Sequence, residues 1–465
     1  MKNFPRRVLA IVALLALQAT ANADVIEAHP GRWLGDMKIP NGPTLKIGVE
    51  LYTRADGSSW ASVASPTQNT LDIPVTSLTD NADTLTLTFS GNVKMKLVWV
   101  KDHFKAEFQE KGGPALTFTM GAVEQFPLKQ RPQSPTQPFP YRDETPAIVS
   151  ADGVTLGATL SIPNRVTRPN LVILVHGSGP QTRDQTIEGH QTFAVLADYL
   201  ARQGIAVLRY DKRGIARSTG NYEQHTPQQL AEDLYAVAKT LKTRQQFKRI
   251  GFIGHSEGPG IAAAVLAKHP NAVDFVVSMA GVGLPGLEMM LLQDRATAKA
   301  NGATPAEVET IVNYASKYYD IILANAQVEA RMTALHAYVA KESESKAIAD
   351  KYKMNQGSLA LGLADKPFLR ELLSADTSQD WRRVRVPVVA LNGSLDQQVP
   401  VDSMRGIITS LKAAGNKKVT GIVLPNLNHL FQTATTGAED EYAKIDETIA
   451  PIALQKIARY VLEQK

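Results

Sequence analysis

Cysteine is absent from all 465 residues, and that absence removes several chemistries at once. There is no disulfide, no lipid-bearing cysteine at an export signal, no thiol nucleophile and no cysteine-ligated zinc. The H-E-x-x-H pattern of metalloproteases is missing, and so is the G-x-x-x-x-G-K-[ST] phosphate loop. We therefore expect neither a metal nor a cofactor. Excess charge is also scarce. The chain carries a net +5, and 5 − 3 = +2 remains once Lys2, Arg6 and Arg7 of the leader are set aside. The other Lys and Arg residues are scattered, so no basic block suggests nucleic acid as a partner. A bilayer-spanning run is lacking too: Val8 to Leu17 is apolar but stops at Gln18, short of the about 20 residues a helix needs to cross.

That short run reads instead as the core of a signal peptide, residues 1–23. A positive segment precedes it, and Ala21-Asn22-Ala23 supplies an A-x-A cleavage signal before Asp24. The expectation is export to a periplasmic or extracellular space with no membrane anchor.

Hydrophobic patterning divides the rest. Residues 24–126 alternate with period two: Leu45, Ile47, Val49 and Leu51, then Leu85, Leu87 and Phe89, then Val93, Met95, Leu97 and Trp99. This predicts an antiparallel meander with one buried face, closing as a small barrel or sandwich. Residues 127–146 are proline-rich and predict an extended spacer. From 147 to 465, continuous apolar runs alternate with helical stretches: Leu171 to Val175, Ile205 to Leu208, Ile250 to Ile253, Phe275 to Met279, Val388 to Leu391 and Val419 to Leu424. That rhythm predicts an α/β domain with a mostly parallel sheet covered on both faces. Residues 284–373 interrupt it with helical composition alone, as a lid over an active site would.

The chemistry begins at Gly254-His255-Ser256-Glu257-Gly258, placed between an apolar run and an Ala-rich helix. This is the G-x-S-x-G nucleophile turn in the strand–turn–helix setting it requires. A serine hydroxyl needs a base, and the base needs an orienting acid. In this chain order the acid and then the histidine follow the serine. Only His269, His336 and His429 do so. His269 ends a helix and His336 lies in the lid-like insertion, whereas His429 stands on a loop at the C-terminal end of a run, where ligands meet open α/β sheets. Asp396 holds the equivalent place after the preceding run. Its rival, Asp402, follows Pro400 and reads as a helix cap. For the oxyanion we expect the backbone amides of Ser178, in His176-Gly177-Ser178-Gly179-Pro180, and of Glu257; Gly177 and Gly179 are the alternatives to Ser178. His176 and His255 read as braces for these loops. The Glu257 side chain reads as a brace for Arg213 or a charge facing a cationic substrate, and an internal Asp211 to Arg213 link is expected to shape its own loop.

Taken together, His176-Gly177-Ser178-Gly179-Pro180, Arg209-Tyr210-Asp211-Lys212-Arg213-Gly214, Gly254-His255-Ser256-Glu257-Gly258, Leu391-Asn392-Gly393-Ser394-Leu395-Asp396 and Asn428-His429-Leu430-Phe431-Gln432 resemble exported α/β-hydrolase esterases. The resemblance is to the serine aminopeptidase, dienelactone-hydrolase-like and prolyl-oligopeptidase-like branches, and it covers roughly Thr145 to the C-terminus. It implies a Ser256, Asp396, His429 triad and hydrolysis of small carboxylic esters. A peptidase or aminopeptidase on the same fold is the alternative, and a binding protein on an inactive scaffold the more distant one. Two positions depart from the related pattern: Ala216, where R-G-x-G-x-S is usual, and Pro259, directly after the turn.

Overall fold

The computed structural model describes residues 24–465, apart from 55, 74, 82, 90–92, 111 and 355–358. The leader and its cleavage signal, residues 1–23, lie outside the described residues.

The alternation in the first hundred residues forms one antiparallel sheet of nine strands, from Gly31–Lys38 to Leu116–Val123. Its inward residues cover one another: Leu85, Leu87, Met95, Leu97 and Phe104 are fully buried, while Lys94, Lys96 and Lys105 between them face solvent. The expected closure does not occur. Thr70–Ile73 and Ser77–Asn81 are the two edges of the sheet, and among the described residues no ladder joins them. The short helix Val25–Ala28 fills the gap instead. Val25 and Ile26 enter the core, and their amides donate to Asp80 Oδ1 and Oδ2 at 3.0 and 3.1 Å. An apolar plug thus replaces the pairing that would seal a barrel.

The stretch read as a spacer is clamped down rather than free. Arg131 is buried, and its guanidinium donates to the carbonyls of Ile445 at 2.6 Å, Ala443 at 3.1 Å and both Glu188 and Gly189 at 3.2 Å. Gln133 bonds the backbone of Thr448 and Ile449. Tyr141–Glu144 then becomes the first strand of the second sheet, a few residues before the boundary expected from composition. Proline content sets an extended backbone, but it does not decide whether that backbone docks.

The second sheet has eight strands, in the order Tyr141–Glu144, Ala158–Pro163, Ala206–Tyr210, Leu171–Val175, Ile250–His255, Phe275–Met279, Val388–Gly393 and Val419–Leu424. Pairing is antiparallel at the first two junctions and parallel at the other five. Each apolar run feeds both faces. Leu171, Ile173 and Val175 join a core with helices Pro227–Thr243 and Gly258–Lys268, while Val172 and Leu174 join another with Thr192–Arg202 and Pro451–Leu462. Helix Pro227–Thr243 starts at a capping box between Thr226 and Gln229. The strand order reverses around Leu171–Val175, which opens a crevice at the carboxyl ends of the neighbouring strands.

Between Phe275–Met279 and Val388–Gly393 the described residues form seven α-helices, from Gly286–Ala300 to Thr377–Trp381. An isolated bridge from Pro285 to Asp376 closes the neck of this insertion. It has its own core, centred on Tyr318, Tyr319 and Ile311. Among the described residues no helix is long and apolar enough to cross a membrane.

Candidate active site

Ser256 sits on the turn between strand Ile250–His255 and helix Gly258–Lys268 with φ of 60°, a left-handed conformation unusual for a side chain of its kind. Its amide is held by Met279 O at 2.9 Å. The flanking glycines are needed for space. A Cβ on Gly254 would lie 2.4 Å from Pro259 N, and one on Gly258 would lie 2.2 Å from Val175 O. Pro259 occupies the first turn of the helix, where an amide would have no partner within the helix anyway. That departure leaves the turn intact.

Asp396 and His429 meet directly. His429 Nδ1 lies 3.0 Å from Asp396 Oδ2 and 3.1 Å from Oδ1, and both side chains are almost wholly buried. Asp396 is fixed from behind by the amides of Gln398 and Val399, at 3.0 and 2.8 Å on Oδ1. The His429 loop is folded around Asn428, whose side-chain oxygen accepts from the amides of Leu430 and Gln432. Asp402 lies elsewhere: it is exposed in the first turn of helix Val401–Ala413 and pairs with Arg405 at 2.6 Å, so it does not act as the helix cap.

Ser256 is brought to this pair through its neighbour. His255 Nε2 donates to the carbonyl of His429 at 2.9 Å, and the two rings lie 4.7 Å apart. His255 Nδ1 accepts from Gln185 Nε2 at 3.0 Å, which assigns the tautomer. Burial, with His429 alongside, pushes its pKa down to about 3, so the ring is a neutral brace. Among the described residues no hydrogen bond links Ser256 to His429 itself, a contact that is often loose before substrate arrives. His269 stacks on Tyr235, and His336 is exposed on helix Val328–Lys341.

The amides of Ser178 and Glu257 have no acceptor among the described residues, whereas that of Gly177 donates to Gln185 Oε1 at 3.2 Å. Ser178, Ser256 and Glu257 border one cavity of about 290 Å³. The insertion contributes Met289, Met290 and Leu372 to its lining, together with the polar Gln293.

Two expected charge pairings are corrected. Arg213 binds Asp233 at 2.7 Å and Asp152 at 2.8 Å. Asp211 instead takes the Arg183 fork, at 2.6 and 3.1 Å. Each arginine, Arg213 buried and Arg183 half-buried, finds a planar carboxylate brought from elsewhere in the chain, a better match than a neighbour two residues away. Glu257 consequently faces Lys212, at 3.4 Å, and not Arg213. The Ala216 departure keeps the glycine-like backbone: its φ is 43°.

The chain does carry one glycine-rich pattern of the kind that marks nucleotide-binding turns. Gly281-Val282-Gly283-Leu284-Pro285-Gly286 has G-x-G-x-x-G spacing after a strand and before a helix. It cradles no phosphate here, because the Gly283 amide already donates to Ser403 Oγ and that of Gly286 to Ala375 O. A Cβ on Gly286 would lie 1.8 Å from Leu372 O. Close packing accounts for these glycines. Among the described residues no three metal-ligating side chains cluster.

The reversal of strand order, the tight serine turn and the acid and histidine loops at neighbouring strand ends are those of an α/β-hydrolase. Residues 169–433 match the family described as serine aminopeptidase, S33, and the chain belongs to that family. Among curated proteins it is similar to esterase EstD of Thermotoga maritima, 25% identical over 276 residues, which are 58% of this chain and 58% of the relative. The match thus spans less than two thirds of EstD. Among solved structures, an esterase of Pyrococcus furiosus is 18% identical, with 70% of this chain and 90% of that one covered and a TM-score of 0.39. Est1E from Butyrivibrio proteoclasticus, with ferulic acid bound, is 16% identical, with coverage of 69% and 99% and a TM-score of 0.41.

Proposed function

We propose that this protein is a serine esterase that cleaves small carboxylic esters through an acyl-enzyme. The observation that carries the reading is the buried Asp396–His429 pair, at 3.0 Å, on loops that converge with the strained Ser256 turn. In this mechanism Ser256 Oγ attacks the ester carbonyl while His429 Nε2 takes its proton. Asp396 holds the imidazole through Nδ1 and stabilises its charged form. The carbonyl oxygen becomes an oxyanion facing the amides of Ser178 and Glu257. His429 then protonates the departing alkoxide, leaving an acyl group on Ser256. Water, activated by the same histidine, releases the acid.

The insertion serves as the lid in this reading. Met289, Met290 and Leu372 give it an apolar surface against the cavity, suited to the hydrocarbon part of the substrate. The leader directs the mature chain to a periplasmic or extracellular space, where ester substrates arrive from outside.

A peptidase reading has one specific support. Asp380 borders the cavity and is half-buried, with Arg383 and Lys268 near enough to act on its charge. Burial raises its pKa, with Arg383 opposing. Such a carboxylate suits a substrate ammonium group. Rates on acyl esters of increasing length, measured beside aminoacyl amides, separate the two. We expect ester turnover with little amide cleavage; faster amide cleavage assigns the peptidase, and no turnover of either assigns a binding protein.

A further inference from the structure

Lys212 follows strand Ala206–Tyr210 and is buried beneath the site. Its ammonium donates to the carbonyl of Gly177 at 2.6 Å and stands 3.4 Å from Glu257 Oε2. A lone buried ammonium is unfavourable. Burial pushes its pKa below the usual lysine value, and the Glu257 carboxylate opposes that shift. Replacing such a pair by apolar residues often leaves stability unchanged or better, so stability alone is a poor explanation for it.

Peptide geometry suggests another. The carbonyl of Gly177 and the amide of Ser178 belong to one peptide unit, which is trans, so they point in opposite directions. Anchoring the oxygen on Lys212 turns the Ser178 N–H the other way. That N–H has no acceptor among the described residues, and Ser178 borders the cavity beside Ser256. The other side of Gly177 is also held, since its own amide donates to Gln185. A charged donor on the carbonyl further polarises the peptide and strengthens its N–H as a donor.

We infer that Lys212 is a positioning residue of the oxyanion hole, aiming and polarising the Ser178 amide, with Glu257 supplying one amide of the hole through its backbone and the countercharge of Lys212 through its side chain. The two halves of the hole are thereby linked by one ion pair. This inference rests on the esterase reading.

The test compares wild type, Lys212→Met and Glu257→Gln on a short ester, with binding of a trifluoromethyl ketone and thermal melting measured on the same samples. The ketone accepts Ser256 Oγ at its carbonyl carbon and leaves a negative oxygen in the hole, while the serine proton passes to His429. For Lys212→Met we expect kcat to fall by about 10- to 100-fold, less than the loss of a donor itself. KM should stay within about 3-fold, and ketone affinity should fall in step with kcat/KM. Glu257→Gln keeps its backbone amide, and should lose about 3- to 10-fold in kcat with the same parallel fall in ketone affinity. It carries the test should Lys212→Met fail to melt cooperatively. Unchanged kcat in the folded variants, or a lower kcat with unchanged ketone affinity, overturns the inference. A wild type that neither cleaves esters nor binds the ketone overturns the esterase reading instead.

Discussion

Inside the N-terminal sheet the covered residues are Leu85, Leu87, Met95, Leu97 and Phe104, closed off by Val25 and Ile26. Beneath the strand ends of the second sheet they include Gln185, Lys212, Arg213, His255, Asn392, Asp396 and His429. An apolar core needs only shape and volume. A buried polar cluster needs a partner for nearly every group, and each lapse is costly. The first arrangement holds a domain together, while the second holds particular atoms in particular places. Reaction chemistry requires the second kind. The N-terminal sheet meets that region at its rim, where Arg54 Nε donates to the Ala216 carbonyl at 2.9 Å, Arg217 lies over Tyr52 at 4.2 Å, and Asn69 donates to Gly189 at 3.1 Å.

The contrast is broken most severely by rate measurements. Asp396→Asn should lower kcat on a small ester by about 10⁴-fold, through the wrong histidine tautomer, with little change in folding. Asp402→Asn should leave kcat near wild type, and the reverse pattern would reassign the acid. Leu97→Ala, in the other core, should do the opposite. We expect about 2–4 kcal/mol of destabilisation of the N-terminal sheet by denaturant unfolding, with an unaltered rate for the protein that remains folded.

The strap between the sheets gives a second kind of break. Arg131→Ala leaves carbonyls of Ala443 and Ile445 without their charged donor. Stability should fall by about 2–4 kcal/mol, measured as a lower denaturant midpoint. No change would restore the view of this stretch as a spacer.

Acid should act unequally on the two regions. Burial holds His190 down to about 4 and His255 to about 3, whereas an exposed histidine in the unfolded chain titrates near about 6.5. As pH falls through that window the unfolded chain binds more protons than the native one, so this stabilisation is full above the window, declines within it and is gone below it. Each histidine contributes up to about 1.4 kcal/mol per pH unit. After correction for the intrinsic exchange rate, which itself slows as pH falls, protection should drop between pH 7 and 5 in the region holding His190 and His255 more than in the N-terminal sheet. Equal loss of protection would contradict the asymmetry.

The smallest effect concerns Ala216, whose φ of 43° lies in the region glycine favours. Ala216→Gly should raise stability by up to about 1 kcal/mol, provided the hydrogen bond from Arg54 survives. A lower melting temperature would show that the loop gains more from a stiff residue than from relief of strain.

Much of the second sheet was legible because its signals are local. Val, Ile and Leu runs mark strands, the Thr226 to Gln229 capping box marks a helix start, and two glycines flank a serine that only a tight turn accommodates. Pairings over long sequence separations were not legible. Whether Thr70–Ile73 meets Ser77–Asn81 depends on how the whole sheet curls and on a plug of two residues from outside it. That Arg213 takes Asp152 and Asp233, and leaves Glu257 to Lys212, depends on where three loops and the helix Pro227–Thr243 converge. Composition identified the proline-rich strap but carried no information on what Arg131 would find beneath it.

The central claim, that Ser256 is the nucleophile activated by His429, is tested most directly by mapping the adduct of a fluorophosphonate by peptide mass spectrometry in wild type, Ser256→Ala and His429→Ala. The account predicts one modified residue, Ser256, with labelling absent in Ser256→Ala and slowed by about 10³-fold or more in His429→Ala. Labelling at another residue, with ester turnover retained by Ser256→Ala, would contradict it.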